Sequence, residues 1–186
     1  FKQEAKALAR LTHSNIVPVI DFGEQDGIAY LVMPYLPGGT LKNLMGKPMP
    51  LRKAISLILP VANALESAHR HNILHRDIKP SNILITEDGA PMLSDFGIAK
   101  MLDSSEELTS VGFSIGTPEY MAPEQVMGEA IDGRADQYAV ATVLYELITG
   151  RKPFQADTPM AVVAKQASQP LPDPRVFVSS IPESIV

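Results

Sequence analysis

The sequence predicts an α+β fold, and three observations carry this prediction. Apolar residues recur at helical spacing in two stretches, 1–12 and 51–71. Two runs with strand character, 17–22 and 28–35, are separated by Asp26-Gly27, which is a hairpin signal. A chain that combines such helices with antiparallel hairpins belongs to this class.

Bulk composition narrows the possible functions. The 186 residues are enough for one domain with a buried core. A net charge of −5 and the lack of a basic run give no indication of nucleic acid or an anionic membrane as partner. Because cysteine is absent, disulfides and thiolate metal sites are excluded. The longest apolar stretch, 139–145, is too short to span a bilayer.

The first elements have an apolar face and clear turns. Phe1, Ala5 and Leu8 fall on one side of the first helix, which is expected to be buried. After the hairpin, Gly38-Gly39 is predicted to form a turn, and Thr40 is predicted to cap a helix.

The helix predicted over 51–71 contains Pro60, which should bend it locally, since proline removes a helical hydrogen bond. His69 and His71 close this helix, and we interpret both as cations that interact favourably with the helix dipole. The face predicted to be buried consists of Ile55, Leu59, Ala62 and Leu65.

Boundary signals define the remaining elements. Asp132 is predicted to cap a helix that runs to Thr149 and ends at Gly150. Thr158-Pro159 is predicted to open another helix, with proline at its first position. Prolines then predict an extended connection. These prolines are Pro170, Pro172, Pro174 and Pro182.

Residues 75–97 concentrate side chains that carry chemistry. Asp77, Lys79 and Asn82 share one loop. Two short strands, 83–85 and 91–93 around an Asp-Gly turn, should return the chain so that Asp95 lies beside Asn82.

This arrangement indicates phosphoryl transfer. The amide oxygen of Asn82 and the carboxylate of Asp95 are hard oxygen ligands, which suit Mg²⁺ better than zinc or copper. Lys79 could steady a transferring phosphoryl group, and Asp77 could orient an attacking hydroxyl and take its proton.

Three motifs in order resemble the signature of the protein kinase family: His75-Arg76-Asp77, Asp95-Phe96-Gly97 and Ala122-Pro123-Glu124. The resemblance covers essentially the whole chain. It implies a two-lobe α+β fold, with a small-lobe remnant of one helix and a hairpin at 1–34, and with the hinge and a mostly helical large lobe at 35–186. It also implies ATP and Mg²⁺ as cofactors and proteins with serine or threonine as substrates.

The resemblance assigns a catalytic role to each residue of the loop. It makes Asp77 the proton acceptor, places Lys79 on the γ-phosphate, and gives Asn82 and Asp95 to magnesium. The hydroxyl of Thr117 would bridge Asp77 and Lys79. The run Lys79-Pro80-Ser81-Asn82 and this threonine resemble serine/threonine kinases, and Gln125 after Ala-Pro-Glu resembles bacterial ones.

Nucleotide contacts follow from the same resemblance. Glu4 matches the glutamate that pairs with an ATP-binding lysine, and Met33 matches the gatekeeper. The carbonyl of Pro34 and the N–H of Leu36 would hold adenine, and Leu84 would pack beneath its ring.

Other matched positions support the site. The resemblance places Leu8, Val19, His75 and Phe96 in an apolar spine between the lobes. Asp136 matches a carboxylate that accepts N–H groups from the catalytic-loop turn.

Residues 95–124 resemble an activation segment. Thr109 is our leading phosphorylation site, with Ser110 and Ser114 behind it, and its phosphate would pair with Arg76. A dimer for autophosphorylation is possible.

Two other function classes stay open. A pseudokinase or docking module would bind proteins without catalysis, and a small-molecule kinase could share the fold. The family's Gly-x-Gly-x-x-Gly loop and its third-strand lysine are expected upstream of residue 1, so residues 1–186 alone are expected to be poorly active. The resemblance implies a cytoplasmic location for the catalytic domain, in a parent protein that could be membrane-anchored.

Overall fold

The computed structural model describes residues 8–26, 28–97 and 117–185, and all structural statements here concern these residues. They contain two antiparallel two-stranded sheets, and the longest helix, Leu51–Arg70, lies between them in the sequence. The predicted α+β class is confirmed. Within the described ranges, no helix is long and apolar enough to cross a membrane.

The first hairpin is shorter than predicted. Strand β1 comprises Asp21–Gln25 and pairs with β2, Ile28–Val32. Residues 17–20 and 33–35 lie outside the strands. Val17 is buried instead, and its N–H donates to the carbonyl of Leu93 at 2.9 Å, so this segment packs on a later hairpin.

The first predicted helix is described at residues 8–10, which are helical, and Leu8 is buried. Gly38-Gly39 forms the predicted turn. A Cβ on Gly38 would lie 2.4 Å from the carbonyl oxygen of Ile85, so only glycine fits this close approach. Thr40 precedes a short 3₁₀ helix, Leu41–Leu44, and not an α-helix, and its N–H and hydroxyl both bond to the side chain of Asn43.

Helix α1 spans Leu51–Arg70 and runs unbroken through Pro60. The predicted buried face was wrong at Ile55 and Leu59, which are 38% and 57% exposed, whereas Leu65 is buried as predicted and Ala62 is half-buried. The buried face is rotated towards small residues, which let neighbouring elements approach closely. It consists of Ala54, Leu57, Ile58, Val61, Ala64, Leu65 and Ala68.

The second hairpin has the predicted boundaries. Strand β3, Ile83–Ile85, pairs with β4, Pro91–Leu93, and Ile83 lies opposite Leu93. Leu93 also pairs with Ile16, which joins this hairpin to the segment before β1.

The C-terminal helices follow their boundary signals. Helix α2 is Pro123–Met127, α3 is Gly133–Thr149 and α4 is Pro159–Ser168. Asp132 accepts from the N–H of Arg134, and Gly150 is left-handed with φ of 74°, as the caps of α3 require. The connection after α4 is not wholly extended, because 3₁₀ turns occur at Pro174–Val176 and Glu183–Ile185.

The core lies where α1 packs against α3 and β4. Its most deeply buried side chains include Val61, Leu93, Val143 and Leu147. The loop from α1 to β3 is consequently held over the start of α3.

Candidate active site

The loop between α1 and β3 has an unusual backbone. Arg76 in this loop has a left-handed φ angle of 64°, and Asp95, which follows β4, has one of 55°, although neither is glycine. Such a conformation costs roughly 1 kcal/mol or more per residue and persists where the surroundings hold it. The surrounding hydrogen bonds therefore define the site.

Asp136 at the start of α3 is the main anchor of this loop. Its carboxylate is 2% exposed and accepts from the N–H groups of His75 at 2.9 Å and Arg76 at 2.8 Å. The contact predicted for Asp136 is thus present. His69 is also 2.8 Å from this carboxylate, so interpreting it as a simple helix-end cation was wrong.

His75 connects the two halves of the site. Its Nε2 lies 2.9 Å from the carbonyl of Ser94, and its Nδ1 accepts from the N–H of Asp77 at 3.2 Å. This pairing fixes a neutral ring with the proton on Nε2. Burial lowers the pKa of His75 and outweighs the opposing effect of Asp136.

The ring of His75 also packs on Phe96, with centroids 4.6 Å apart and planes tilted by 38°. The carbonyl of His75 accepts from the N–H of Gly97 at 2.8 Å. His75 therefore connects the Asp-Phe-Gly turn to the loop that carries Asp77.

Asp77 is held from two sides. Lys79 Nζ lies 2.7 Å from Asp77 Oδ2, and the side-chain amide of Asn82 donates to the Asp77 carbonyl at 2.8 Å and to Oδ2 at 3.0 Å. The side chains of Asp77 and Lys79 are 20% and 25% exposed, whereas Asn82 is buried. A carboxylate fixed in this way at a partly open surface can receive a proton from a bound hydroxyl.

Asp95 is connected to Asn82 through Ser94. Ser94 donates its N–H and its hydroxyl to the carbonyl of Asn82, at 2.9 and 3.2 Å. The same hydroxyl lies 3.0 Å from Asp95 Oδ2, and Asp95 is exposed. Among the described residues, no cluster of three His, Cys, Asp or Glu could hold a metal ion.

Several other predicted residues line two small cavities. Thr117 lines a cavity of about 10 Å³ together with Asp77 and Lys79. Met33 lines a second cavity, of about 20 Å³, with Asp95 and three members of the predicted spine. Those members are Leu8, Val19 and Phe96.

Leu84 is half-buried in β3 and pairs with Thr40, while Pro34 and Leu36 follow β2. Glu4, Thr109, Ser110 and Ser114 lie outside the described residues.

The segment that follows residue 116 is anchored by contacts that the motifs did not predict. The Tyr120 hydroxyl donates to Glu146 at 2.5 Å, and Lys152 donates to Glu119 at 2.6 Å. Burial and the bond to Glu146 raise the pKa of Tyr120. Burial also raises the pKa of Glu119, but the bond from Lys152 and the remaining contacts bring it below its usual value.

Gln125 makes a further unpredicted contact. Its amide nitrogen donates to the carbonyl of Arg76 at 2.9 Å. A glutamine one position after Ala-Pro-Glu carries no local signal for this bond, because its partner lies 49 positions earlier in the sequence.

Comparison with known proteins gives a consistent result. A family model described as a protein kinase domain matches residues 1–180. A probable serine/threonine-protein kinase of Clostridium perfringens, CPE1738, is 43% identical over 187 residues, covering 100% of this chain and 27% of the relative. Serine/threonine-protein kinase PknB of Mycolicibacterium smegmatis is 40% identical over 191 residues, covering 98% of this chain and 31% of the relative. The chain thus spans less than a third of the length of each of these relatives.

Proposed function

We propose that this chain, which belongs to the protein kinase family and is a bacterial-type serine/threonine kinase domain, transfers the γ-phosphate of ATP to serine and threonine hydroxyls of proteins. One observation carries the proposal most strongly. Asp77 is held between Lys79 and Asn82, with Asp95 adjacent through Ser94.

Asp77 orients the substrate hydroxyl and accepts its proton as the oxygen attacks phosphorus. Its carboxylate is fixed by Asn82 and its backbone by His75, so little reorganisation is needed at the moment of transfer. Lys79 places a positive charge beside the same carboxylate, where it can also stabilise charge on the transferring phosphoryl group. The hydroxyl of Thr117 lies close enough to line the same cavity and would support this pair.

The donor set fits Mg²⁺. The side-chain nitrogen of Asn82 bonds to Asp77, so the amide is oriented with its oxygen on the opposite side. This oxygen and the exposed carboxylate of Asp95 are hard ligands, and Mg²⁺ bound with ATP typically takes one or two carboxylates besides phosphate oxygens. When bound, the ion would supply charge neutralisation at the phosphates.

We propose that the adenine base of the nucleotide binds beside residues 33–36, which follow β2. Met33, the carbonyl of Pro34 and the N–H of Leu36 would contact adenine from one side, and Leu84 of β3 from the other. Proline lacks an N–H, but neither of the two proposed backbone contacts needs the one that it removes. Glu4 would pair with a lysine from outside residues 1–186.

We further propose that residues 1–186, as an isolated polypeptide, transfer phosphate slowly. This stretch contains no Gly-x-Gly-x-x-Gly loop to cover the phosphates. A missing charge-assisted hydrogen bond to phosphate removes about 1.5–3 kcal/mol, and each 1.4 kcal/mol is about tenfold in rate.

Docking without catalysis is the second candidate. It would require neither an oriented carboxylate nor the Asn82 and Asp95 oxygens, whereas the hydrogen bonds of Asp77 with Asn82 and of Asp95 with Ser94 support a catalytic role. We therefore favour the kinase.

The test is transfer of radiolabelled γ-phosphate to a protein substrate by the complete gene product, with Mg²⁺ present. Asp95→Asn should remove most of the transfer and weaken Mg²⁺-dependent ATP binding. Asp88→Asn is the matched control, because Asp88 is an exposed carboxylate on the turn of the same hairpin. If Asp95→Asn behaved like Asp88→Asn in both assays, the metal assignment would be wrong.

A further inference from the structure

We propose that Gln125 is a positioning residue that clamps the peptide preceding the catalytic carboxylate of Asp77. The inference rests on the proposed kinase function and extends it to a residue outside the catalytic motifs. Gln125 lies in the first turn of α2 and is half-buried.

Both ends of the Gln125 amide are used. Its Oε1 accepts from the N–H of Ala122 at 3.0 Å, which fixes the side chain against its own helix start. Its Nε2 then donates to the carbonyl of Arg76 at 2.9 Å. The glutamine therefore links the end of the segment after residue 116 to the catalytic loop.

Both polar groups of the peptide between Arg76 and Asp77 form hydrogen bonds. Gln125 holds the carbonyl oxygen, and Nδ1 of His75 accepts from the N–H at 3.2 Å. Arg76 is the left-handed residue of the loop, so this peptide plane has no regular secondary structure to hold it. Its tilt sets the direction in which the Asp77 side chain leaves the backbone.

Charged side chains surround Gln125, so replacing it with a titratable glutamate allows the clamp to be tested by changing the pH. Gln125 lines one cavity with Arg76, Asp77, Lys79 and Asp136. An ionised glutamate at this position would keep the contact with Ala122 but would place negative charge against the Arg76 carbonyl. A protonated glutamate could donate its O–H to that carbonyl and restore the clamp.

Gln125→Glu and Gln125→Met are compared with wild type in the complete gene product. We expect kcat to fall roughly fivefold or more in both at pH 8, because the Arg76 carbonyl loses the hydrogen bond from Gln125, while the KM for ATP changes less than about twofold. As the pH is lowered from about 8 to about 5.5, the kcat of Gln125→Glu relative to wild type should recover, and that of Gln125→Met should stay flat.

Gln155 provides matched controls. It is exposed and also donates to a carbonyl, that of Lys152 at 3.3 Å. Gln155→Met and Gln155→Glu should leave kcat and its pH profile unchanged.

Amide hydrogen exchange at Asp77 gives a readout that does not depend on activity. If the Asp77 amide exchanged faster in Gln125→Met than in wild type, the clamp would be supported. If the wild type at the same time transferred no phosphate, the kinase proposal would be refuted. Transfer by wild type, with kcat and Asp77 exchange unchanged in both Gln125 variants, would overturn the clamp. A kcat loss that was the same for both variants at every pH would also overturn it.

Discussion

Replacing Asp136 with asparagine tests how the catalytic loop is held. The carboxylate accepts from His75 N, Arg76 N and His69 Nε2, all within 2.9 Å. An asparagine has one oxygen to accept with, so at least one backbone N–H of the loop loses its acceptor and faces an NH₂ group instead.

The size of the effect follows from these contacts. A hydrogen bond to a charged group contributes about 1.5–3 kcal/mol, and an unsatisfied buried donor costs about 1–3 kcal/mol. Burying a neutral amide is cheaper than burying a carboxylate, which offsets part of the loss. We expect Asp136→Asn to lower the free energy of unfolding by about 2–4 kcal/mol and to reduce kcat by at least about tenfold.

The assay is urea-induced unfolding of the complete gene product, followed by pulse proteolysis and detection of peptides from this domain. Asp132→Asn is the control, since Asp132 is an exposed cap of the same helix and asparagine caps equally well. A loss of stability in Asp136→Asn no larger than that of the control would refute the argument that the buried carboxylate anchors the loop.

Three further outcomes are expected. Thr109→Ala should lower activity with ATP affinity nearly intact, because its phosphate is predicted to pair with Arg76; phosphopeptide mapping of active enzyme without phosphate on Thr109 would count against this. A peptide library should show no strong enrichment of arginine two or three places before the target hydroxyl, because the family resemblance matches Thr40 and Ser81 to positions where arginine-selecting kinases carry acidic residues. Because burial holds the pKa of His75 below its unfolded value of about 6.5, the unfolded state binds a proton first as pH falls. Stability should therefore drop between about pH 7 and 5, less so in His75→Asn, and an imidazole that NMR shows charged at pH 6 would contradict this.

Local signals in the sequence predicted several elements well. Asp132, Gly150 and Thr158 satisfy the backbone groups of their own helix ends, so their effect depends on a few neighbouring residues. The β3–β4 hairpin was predicted for the same reason, and after it Ser94 forms hydrogen bonds with both Asn82 and Asp95.

Contacts distant in sequence were harder to predict. The buried face of α1 depends on how α3 and β4 approach it, and that approach leaves Ile55 and Leu59 exposed. His69 contacts Asp136, 67 positions away, and nothing near His69 in the sequence distinguishes it from His71.

Single-turnover phosphate transfer from Mg-ATP by Asp77→Asn tests most directly whether Asp77 accepts the substrate proton in a kinase reaction. Asparagine keeps the size of the side chain but cannot accept the proton, so we expect Mg-ATP affinity to change little while the transfer step slows at least about a hundredfold. Transfer within a few-fold of wild type, with the same nucleotide affinity, would contradict the account.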